Sequence, residues 1–336
     1  EPSDNVTPLR VERRRRREKR PPARPRKRER RAKLDRDEVL DALRANGHDA
    51  FFHELKEERS LLELSGLEAD LVFNLTEAYA GDDSKEAHVA AFLDLLELPY
   101  TGAGPQALFL AQDKALAKKV FTFHGIKTPS FASSYRGRID HMDDLDFPLI
   151  IKPALEDGSV GIDAGSVVGS VKEMMERIAL VQQRFDCPAL IEEFIEGREI
   201  YVGVLGGGEP EALPPVELDL SKLPEGMPRI AGREVKWEKG TQAYDATRSA
   251  VARDLPEELG RRIRETALAT YGALGLRDYG RIDLRVTPRG EIYVIEANPN
   301  PWLSSEAELA LAAAAAGRDY PTLIGEIAER ALSRYT

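Results

Sequence analysis

The sequence reads Gly280-Arg281-Ile282-Asp283 and, thirteen residues after that aspartate, Glu296-Ala297-Asn298-Pro299-Asn300. Apolar and charged residues alternate over 281–286, which is the period of a β-strand, and a second apolar stretch follows after a turn sequence. An antiparallel hairpin of this kind can bring Asp283, Glu296 and Asn298 to one end of a sheet. Carboxylate and amide oxygens suit Mg²⁺ that carries nucleotide phosphates, so the hairpin predicts an ATP site.

Acidic residues on a strand are often ordinary solvated side chains, which is the alternative interpretation. Two features of the sequence favour a metal site. The Asn-Pro-Asn-Pro sequence at 298–301 is a poor continuation of a strand, and Arg281 would place a cation beside the carboxylates. We therefore interpret Asp283, Glu296 and Asn298 as metal ligands.

The composition is that of a folded globular protein with room for two or three domains, because the chain has 336 residues, of which 42% are hydrophobic and 32% charged. No apolar run reaches the ~18 residues that cross a bilayer, so no membrane association is expected. Cys187 is the only cysteine, which excludes an internal disulfide and predicts a reducing compartment, the cytoplasm.

Residues 1–33 form a basic arm that we expect to be extended. Residues 10–36 hold 16 Lys or Arg and four acidic residues, although the net charge of the whole chain is −10. Such a segment repels itself and buries little apolar surface. No aromatic residue lies among the basic ones to stack on bases, so docking on the acidic body explains the arm as well as nucleic-acid binding does, and we do not expect nucleic acid as a partner.

Three further segments follow the arm. Residues 34–112 are interpreted as an α/β domain, with helices at 34–45, 55–64 and 86–96 and short strands at 49–53 and 70–75. Residues 113–196 are expected to hold helices at 113–124 and 171–185 and strands at 148–153 and 190–195. Residues 197–336 are expected to hold a strand at 198–204, a long connection to about residue 254, a helix at 256–274, the hairpin and terminal helices.

A glycine loop, Gly158-Ser159-Val160-Gly161, follows Lys152 at the end of a buried strand. Such loops are common turns, but their exposed backbone N–H groups can hold phosphate oxygens that a lysine neutralises. Lys114 and Lys236 add two cations, each of which would by itself be read as a surface lysine. The acidic stretch 192–199 is either an exposed turn or the lining of a nucleoside cleft.

From about residue 69 to its C terminus the chain resembles the D-alanine–D-alanine ligase branch of the ATP-grasp superfamily. The matching segments occur in the same order: GDDSKE at 81–86, LPYTGAG at 98–104, QDK at 112–114, IKP at 151–153, GSVG at 158–161, IEEF at 191–194, EVKW at 234–237, GRID at 280–283 and EAN at 296–298. The resemblance implies an α/β (α+β) ATP-grasp fold of three subdomains. The first would be a Rossmann-like pre-ATP-grasp domain, and ATP would lie between the other two.

The resemblance also implies the roles of the site residues. The nucleotide ligands would be Lys114, Lys152, Ser159 as a phosphate contact, Glu192, Glu193 and Ile195 of the adenine hinge, and Glu199 for the ribose. Asp283, Glu296 and Asn298 would hold two Mg²⁺ ions, for which Mn²⁺ could substitute. Lys236 would close over the γ-phosphate, and Arg281 would stabilise the tetrahedral intermediate, so that Arg281, Lys236 and Ser159 are the expected catalytic residues.

The reaction of the family joins two small molecules. ATP phosphorylates a carboxylate to an acylphosphate, and an amine then attacks it to give an amide, ADP and phosphate. Mg²⁺ and lysines would disperse the charge of the transferred phosphoryl group, and a loop that excludes water would protect the intermediate. The resemblance further suggests a homodimer.

The chain departs from the family pattern in three places. The glycine-rich N-terminal stretch of the family has no counterpart in the arm, and a serine and a tyrosine that bond to each other are Gly158 and Trp237 here. Where the family has a small residue and a Ser-Leu pair that binds the carboxylate of the acceptor, this chain has Trp302 and Ala307-Glu308, with Glu306 beside them. We therefore expect an acceptor other than D-alanine, either a cationic amine or one without a nearby carboxylate. The alternative function is an ATP-grasp kinase or an ATP-binding regulatory protein without ligase activity.

Overall fold

The structure is a computed structural model that describes residues 28–140, 145–236 and 238–336. Most of the basic arm and Trp237 therefore lie outside the described residues. The α-helices are α1 (Arg28–Ala45), α2 (Glu58–Leu62), α3 (Glu86–Leu95), α4 (Pro105–Gln112), α5 (Lys114–Phe123), α6 (Val171–Phe185), α7 (Arg233–Lys236), α8 (Gln242–Asp245), α9 (Glu257–Ala273), α10 (Glu308–Ala315) and α11 (Tyr320–Leu332). The strands are β1 (Phe131–Tyr135), β2 (Arg138–Asp140), β3 (Leu149–Pro153), β4 (Val167–Val168), β5 (Ala189–Glu193), β6 (Arg198–Leu205), β7 (Glu211–Ala212), β8 (Val216–Asp219), β9 (Arg248–Val251), β10 (Tyr279–Val286) and β11 (Ile292–Asn298).

Two antiparallel sheets follow each other along the chain. The first has the strand order β2-β1-β5-β3-β4, and the second has the order β11-β10-β6-β8-β9, with β7 paired to β6. Residues 194–197 join β5 of the first sheet directly to β6 of the second. The mixed α/β fold predicted from the sequence is confirmed, and the short link sets the two sheets beside each other.

The apolar residues of the second sheet lie on both of its faces. Ile200, Val202, Ile282 and Leu284 pack in one core cluster with apolar residues of α9 and of the N-terminal helices α3 and α4. Other strand residues pack with α10 and α11 in a second cluster. Helix α6 covers the first sheet through Met174, Ile178 and Val181. Both faces of the second sheet are therefore packed against helices.

The N-terminal segment differs from the sequence prediction. The strands expected at 49–53 and 70–75 do not form; instead Val72 makes an isolated parallel bridge to Tyr100. An apolar run gains strand geometry only from a hydrogen-bonded neighbour, and among residues 28–130 no second strand is present to supply one. The two strand predictions are therefore wrong, while the Rossmann-like N-terminal domain that the family resemblance implies remains a prediction.

Some of the helices also differ from the prediction. Helix α1 begins at Arg28, inside the segment expected to be extended, and α4 was not predicted at all. Gly104 followed by Pro105 is a typical helix start, because proline lacks the N–H that the first helical turn cannot use. Within the described ranges, no helix combines the length and the apolar character that a bilayer span needs.

Candidate active site

The predicted hairpin is β10 and β11, and its register places the charged side chains together. Asp283 lies directly opposite Glu296, and Arg281 lies opposite Asn298. Residues that face each other across an antiparallel pair project from the same side of the sheet, and so do alternate residues of one strand. Four of the predicted site residues therefore share one face at the end of the hairpin.

Basic side chains neutralise both carboxylates of the hairpin. The Arg281 guanidinium donates to both oxygens of Asp283 at 2.8 and 2.9 Å and lies 3.3 Å from Glu308 Oε2. The Lys114 ammonium lies 3.0 Å from Glu296 Oε1. Burial alone would raise the pKa of Glu296, but Lys114, Lys236 and Lys152 outweigh it and lower that pKa to about 2. Glu296 is therefore ionised at neutral pH and can act as a metal ligand.

The donor set of the hairpin suits Mg²⁺ that arrives with phosphate. In the described part of the chain, no three His, Cys, Asp or Glu side chains form a group able to hold a metal ion. The predicted set offers two carboxylates and one amide, and the Asn298 amide nitrogen is buried without a hydrogen-bond partner. Mg²⁺ in proteins is typically held by one or two carboxylates together with substrate phosphates and water. These residues fit such an ion better than a metal held by protein ligands alone.

Lys114 connects the first sheet to the hairpin. It is the first residue of α5, is 5% exposed, and lies 2.7 Å from Asp157 Oδ1 as well as close to Glu296. Its ammonium also donates to the Glu156 carbonyl at 2.9 Å. Residue type alone would place Lys114 on the surface, because a lone lysine is normally exposed. The two carboxylates on different segments are the physical reason that it lies inside.

Lys152 and Glu192 form a second buried ion pair, on adjacent strands of the first sheet. Lys152 Nζ lies 2.5 Å from Glu192 Oε2, and Lys118 Nζ lies 2.7 Å from the other oxygen, Oε1. Lys118 was not among the predicted site residues. In the sequence, Lys118 lies about one helical turn after Lys114 and about one turn before Phe121, which is buried. This helical spacing places all three residues on the same side of α5.

The hinge between the sheets carries the residues predicted to contact the base and the ribose. The N–H groups of Glu193 and Phe194 donate to the carbonyls of Ser130 and Pro148, so the sheet already uses them. Glu199 is buried, and its Oε2 lies 2.6 Å from Arg285 Nε. A cavity of about 660 Å³ lies beside the hinge and is lined by Phe194, Glu196 and Gly197 together with residues 226–229 and others. The lysines and metal-site carboxylates are not part of its lining.

The glycine loop contacts the long connection that precedes β9. Ser159 donates its hydroxyl to the Ala231 carbonyl at 2.7 Å, and the Ile162 carbonyl accepts from Arg233 N at 2.9 Å. Ala164 N donates to Glu234 Oε1 at 3.3 Å. These bonds join the loop to α7, whose last residue is Lys236, with its ammonium 5.6 Å from the centre of the Tyr201 ring. The glycine loop is therefore bonded to the segment that carries Lys236.

Glu86 is a further acidic group near the hairpin that the sequence analysis did not assign. It is the first residue of α3, and its Oε1 accepts from Asn300 Nδ2 at 2.5 Å. Burial raises the pKa of Glu86 from its ordinary value of 4.5 to about 7, and Asp157, Glu77 and Asp83 add to that rise. A raised carboxyl pKa means that ionised Glu86 destabilises the folded chain.

We expect the Glu86→Gln variant to be more stable than the parent chain at pH 8, by about 3 kcal/mol. The folded-state pKa lies above the unfolded value of 4.5, so stability is lost as the pH rises through about 7. Glutamine keeps the acceptor for Asn300 and removes the charge, and its advantage vanishes below pH 4.5. Urea unfolding from pH 4.5 to 8 measures this, with the exposed helix-start variant Glu257→Gln as the control. A stability gain of Glu86→Gln that does not change with pH would contradict the raised pKa assigned to Glu86.

Comparison with known proteins gives a consistent set of relatives. Residues 117–329 match the family model described as the D-ala D-ala ligase C-terminus. A D-alanine–D-alanine ligase of Bordetella petrii is 33% identical over 296 residues, which cover 87% of this chain and 85% of that one. An uncharacterized protein of Sinorhizobium fredii is 35% identical over 79% of this chain and 75% of its own length.

The fold has solved counterparts as well. The D-alanine–D-alanine ligase of Bacillus anthracis, whose structure was determined in complex with ATP, superposes with a TM-score of 0.73 at 24% identity. The superposition covers 91% of this chain and 93% of that one, so the shared architecture extends over nearly the whole of both molecules.

Proposed function

The chain belongs to the D-alanine–D-alanine ligase family of ATP-grasp enzymes, and we propose that it joins a carboxylate to an amine other than D-alanine through an acylphosphate. Membership makes it a ligase that uses ATP to form an amide bond between small molecules and that depends on a metal ion. The acylphosphate, the acceptor and the residue roles below are our proposal. Homodimerisation, which the family resemblance suggests, is a separate proposal that sedimentation would test.

One observation carries the proposal: cations from three different segments converge on the carboxylate face of the hairpin. Lys114 of α5 contacts Glu296, Arg281 of β10 contacts Asp283, and Lys236 of α7 contributes to the low pKa of Glu296. Phosphoryl transfer needs positive charge placed around the transferred group and a positioned metal ion. This face supplies the positive charge, and its carboxylates would hold the metal ion.

The first sheet and the hinge would hold the nucleoside and its phosphates. Lys152 and Lys114 would contact phosphate oxygens, with the backbone of the glycine loop and Ser159 beside them. Because the N–H groups of Glu193 and Phe194 are already bonded, the base would pair with the Glu193 carbonyl and the Ile195 N–H. Glu192 would border the base, and Glu199 would accept from the ribose hydroxyls.

The hairpin would hold the metal and the reacting groups. Asp283, Glu296 and Asn298 are the residues that would hold two Mg²⁺ ions, which supply charge neutralisation for the phosphates when bound. Lys236 lies on the segment bonded to the glycine loop and would reach the γ-phosphate. Arg281 would stabilise the tetrahedral intermediate formed when the amine attacks the acylphosphate. The glycine loop and this segment would exclude water from that hydrolysable intermediate.

Glu308 is the reason to propose an acceptor without a nearby carboxylate. Its Oε2 lies 3.3 Å from Arg281, and its Oε1 accepts from Ser249 Oγ at 3.0 Å. Burial would raise the pKa of Glu308, but Arg281 and Lys236 lower it on balance, so the group is ionised at neutral pH. Arg281 therefore already faces two carboxylates of this chain, and a third from an α-amino acid would meet like charge. The second acidic residue of this segment, Glu306, is exposed.

We expect ADP release with a panel of amines, a carboxylate donor and Mg-ATP to be faster with simple amines or diamines than with D-alanine. The Glu308→Leu variant should increase the rate with D-alanine relative to a simple amine by at least about tenfold, since like charges brought together cost several kcal/mol. Product mass spectrometry with coupled ADP detection measures both quantities. Glu306→Gln, which changes an exposed carboxylate in the same segment, should leave the preference unchanged.

Two results would oppose this proposal in different ways. D-alanine as the best acceptor of the parent chain would refute the acceptor assignment and leave the ligase assignment standing. Phosphate release at a rate independent of every amine would instead favour an ATP-grasp kinase or an ATP-binding regulatory protein.

A further inference from the structure

Lys118 is a buried lysine to which the proposed reaction assigns no role. It lies on α5, and its side chain is 1% exposed. Its ammonium is 2.7 Å from Glu192 Oε1 and donates to Thr128 Oγ1 at 2.7 Å. Thr128 in turn donates to the Val294 carbonyl of β11 at 2.8 Å. Lys118 is thus fixed on one side to the first sheet and on the other to the second.

The partner of Lys118 is also the partner of a proposed nucleotide ligand. Glu192 is 1% exposed, and its two oxygens contact two different lysines, Lys118 and Lys152. The Lys152 side chain is 9% exposed and belongs to the strand that leads into the glycine loop. Of these two lysines, only Lys152 is proposed to contact a phosphate of the nucleotide.

Separating a buried carboxylate from its only counter-ion has a large free-energy cost. Removing one partner of a buried ion pair costs several kcal/mol, because the remaining charge is left in a medium of low dielectric constant. If Lys152 were the sole partner of Glu192, transfer of Lys152 to a phosphate would incur that cost. With Lys118 in place, Glu192 keeps an ion pair whichever group Lys152 contacts.

We propose that Lys118 is a positioning residue that retains the charge of Glu192 and thereby releases Lys152 for the phosphates of the nucleotide. This inference rests on the nucleotide site proposed above and assigns a residue outside it. Lys118 touches no substrate atom in this role; it acts through Glu192.

The electrostatics of the three groups agree with this assignment. Burial would raise the pKa of Glu192, but Lys118 and then Lys152 outweigh it, so the pKa is lowered and the carboxylate is ionised. Burial lowers the pKa of Lys118, and the neighbouring Lys152 lowers it further, while Glu192 opposes both. The two lysines therefore compete for one carboxylate, which is the condition for one of them to leave it.

The test compares ATP with adenosine, because Lys152 would contact phosphate and not the nucleoside. We expect Lys118→Met to lower the ratio of ATP affinity to adenosine affinity by about tenfold, since Glu192 then holds Lys152. The double variant Lys118→Met with Glu192→Gln removes both buried charges, and it should restore the ratio to at least that of the parent chain. Calorimetry on the full chain with Mg²⁺ and no other substrate gives the two affinities. A change in base recognition alters both affinities equally, so it does not alter their ratio.

The control is Lys119→Met, the exposed lysine next along α5, which should leave the ratio unchanged. Thermal denaturation of each variant shows whether it is folded, and so separates loss of folding from loss of the phosphate contact. The affinity ratio of the double variant tests the inference even if the single variant does not fold. An unchanged ratio in Lys118→Met, or a double variant as weak as the single, would overturn the inference. If the parent chain bound no ATP at all, the proposed nucleotide site would be at fault instead.

Discussion

Replacing Asp283 by Asn is expected to reduce ATP turnover by about a thousandfold without unfolding the chain. Asparagine has the same shape, but it lacks the charge that would bind the metal ion. The fold should survive because Arg281, which donates to Asp283, keeps Glu308 as a second carboxylate partner 3.3 Å away. Glu296→Gln should behave in the same way, since Glu296 lies directly opposite Asp283 in the hairpin.

The measurement is ADP release at saturating ATP over a range of Mg²⁺ concentrations, with unfolding followed in parallel. A weakened metal site predicts that part of the lost rate returns as the Mg²⁺ concentration rises. The matched control is Glu291→Gln, which changes a partly exposed carboxylate paired with Lys127 at the other end of the same hairpin. Full turnover in Asp283→Asn would remove the basis for the metal site.

The two strands of the hairpin could be predicted from the sequence because the alternation over 281–286, the turn and the second apolar strand are local. Their pairing could not be predicted in full. A register shift between Asp283 and Leu284 places Asp283 against Glu296, and no local pattern indicates that shift. The segment 70–75 has an equally apolar sequence, but it did not become a strand. Its outcome depended on whether a neighbouring strand existed, and no local pattern contains that information.

The buried charges could be predicted only in part. Lysine is almost never buried without a partner, so Lys114 and Lys118 would be assigned to the surface unless their partners were known. Their partners, Glu296 and Glu192, lie far along the chain and on different sheets. The family resemblance indicated Lys114 because its motif is shared. It did not indicate Lys118, for which the helical spacing from Lys114 was the only signal.

Replacing Asp278 should lower the stability of the fold more than any other substitution proposed for this chain, although Asp278 lies outside the catalytic face. It is fully buried just before β10, and its Oδ2 accepts from Gly102 N at 2.7 Å. Arg334, beyond α11, donates to both of its oxygens at 2.8 Å and also to the Tyr100 carbonyl. One carboxylate therefore ties the turn at 101–104 and the C-terminal end of the chain to the start of the hairpin.

We expect Asp278→Ala to lower the free energy of unfolding by about 3–5 kcal/mol, because it leaves a guanidinium and a backbone N–H without their buried acceptor. The backbone at Asp278 is also left-handed, with φ of 58°, which asparagine tolerates better than alanine. Asp278→Asn should therefore lose less, since its amide oxygen can keep the bond from Gly102, although it gives up the charge and one of the two acceptors of Arg334. Urea unfolding measures the series, and Asp254→Ala, which removes an exposed partner of Arg198, should cost less than about 1 kcal/mol. Equal losses at Asp278 and Asp254 would show that the buried carboxylate does not hold these segments together.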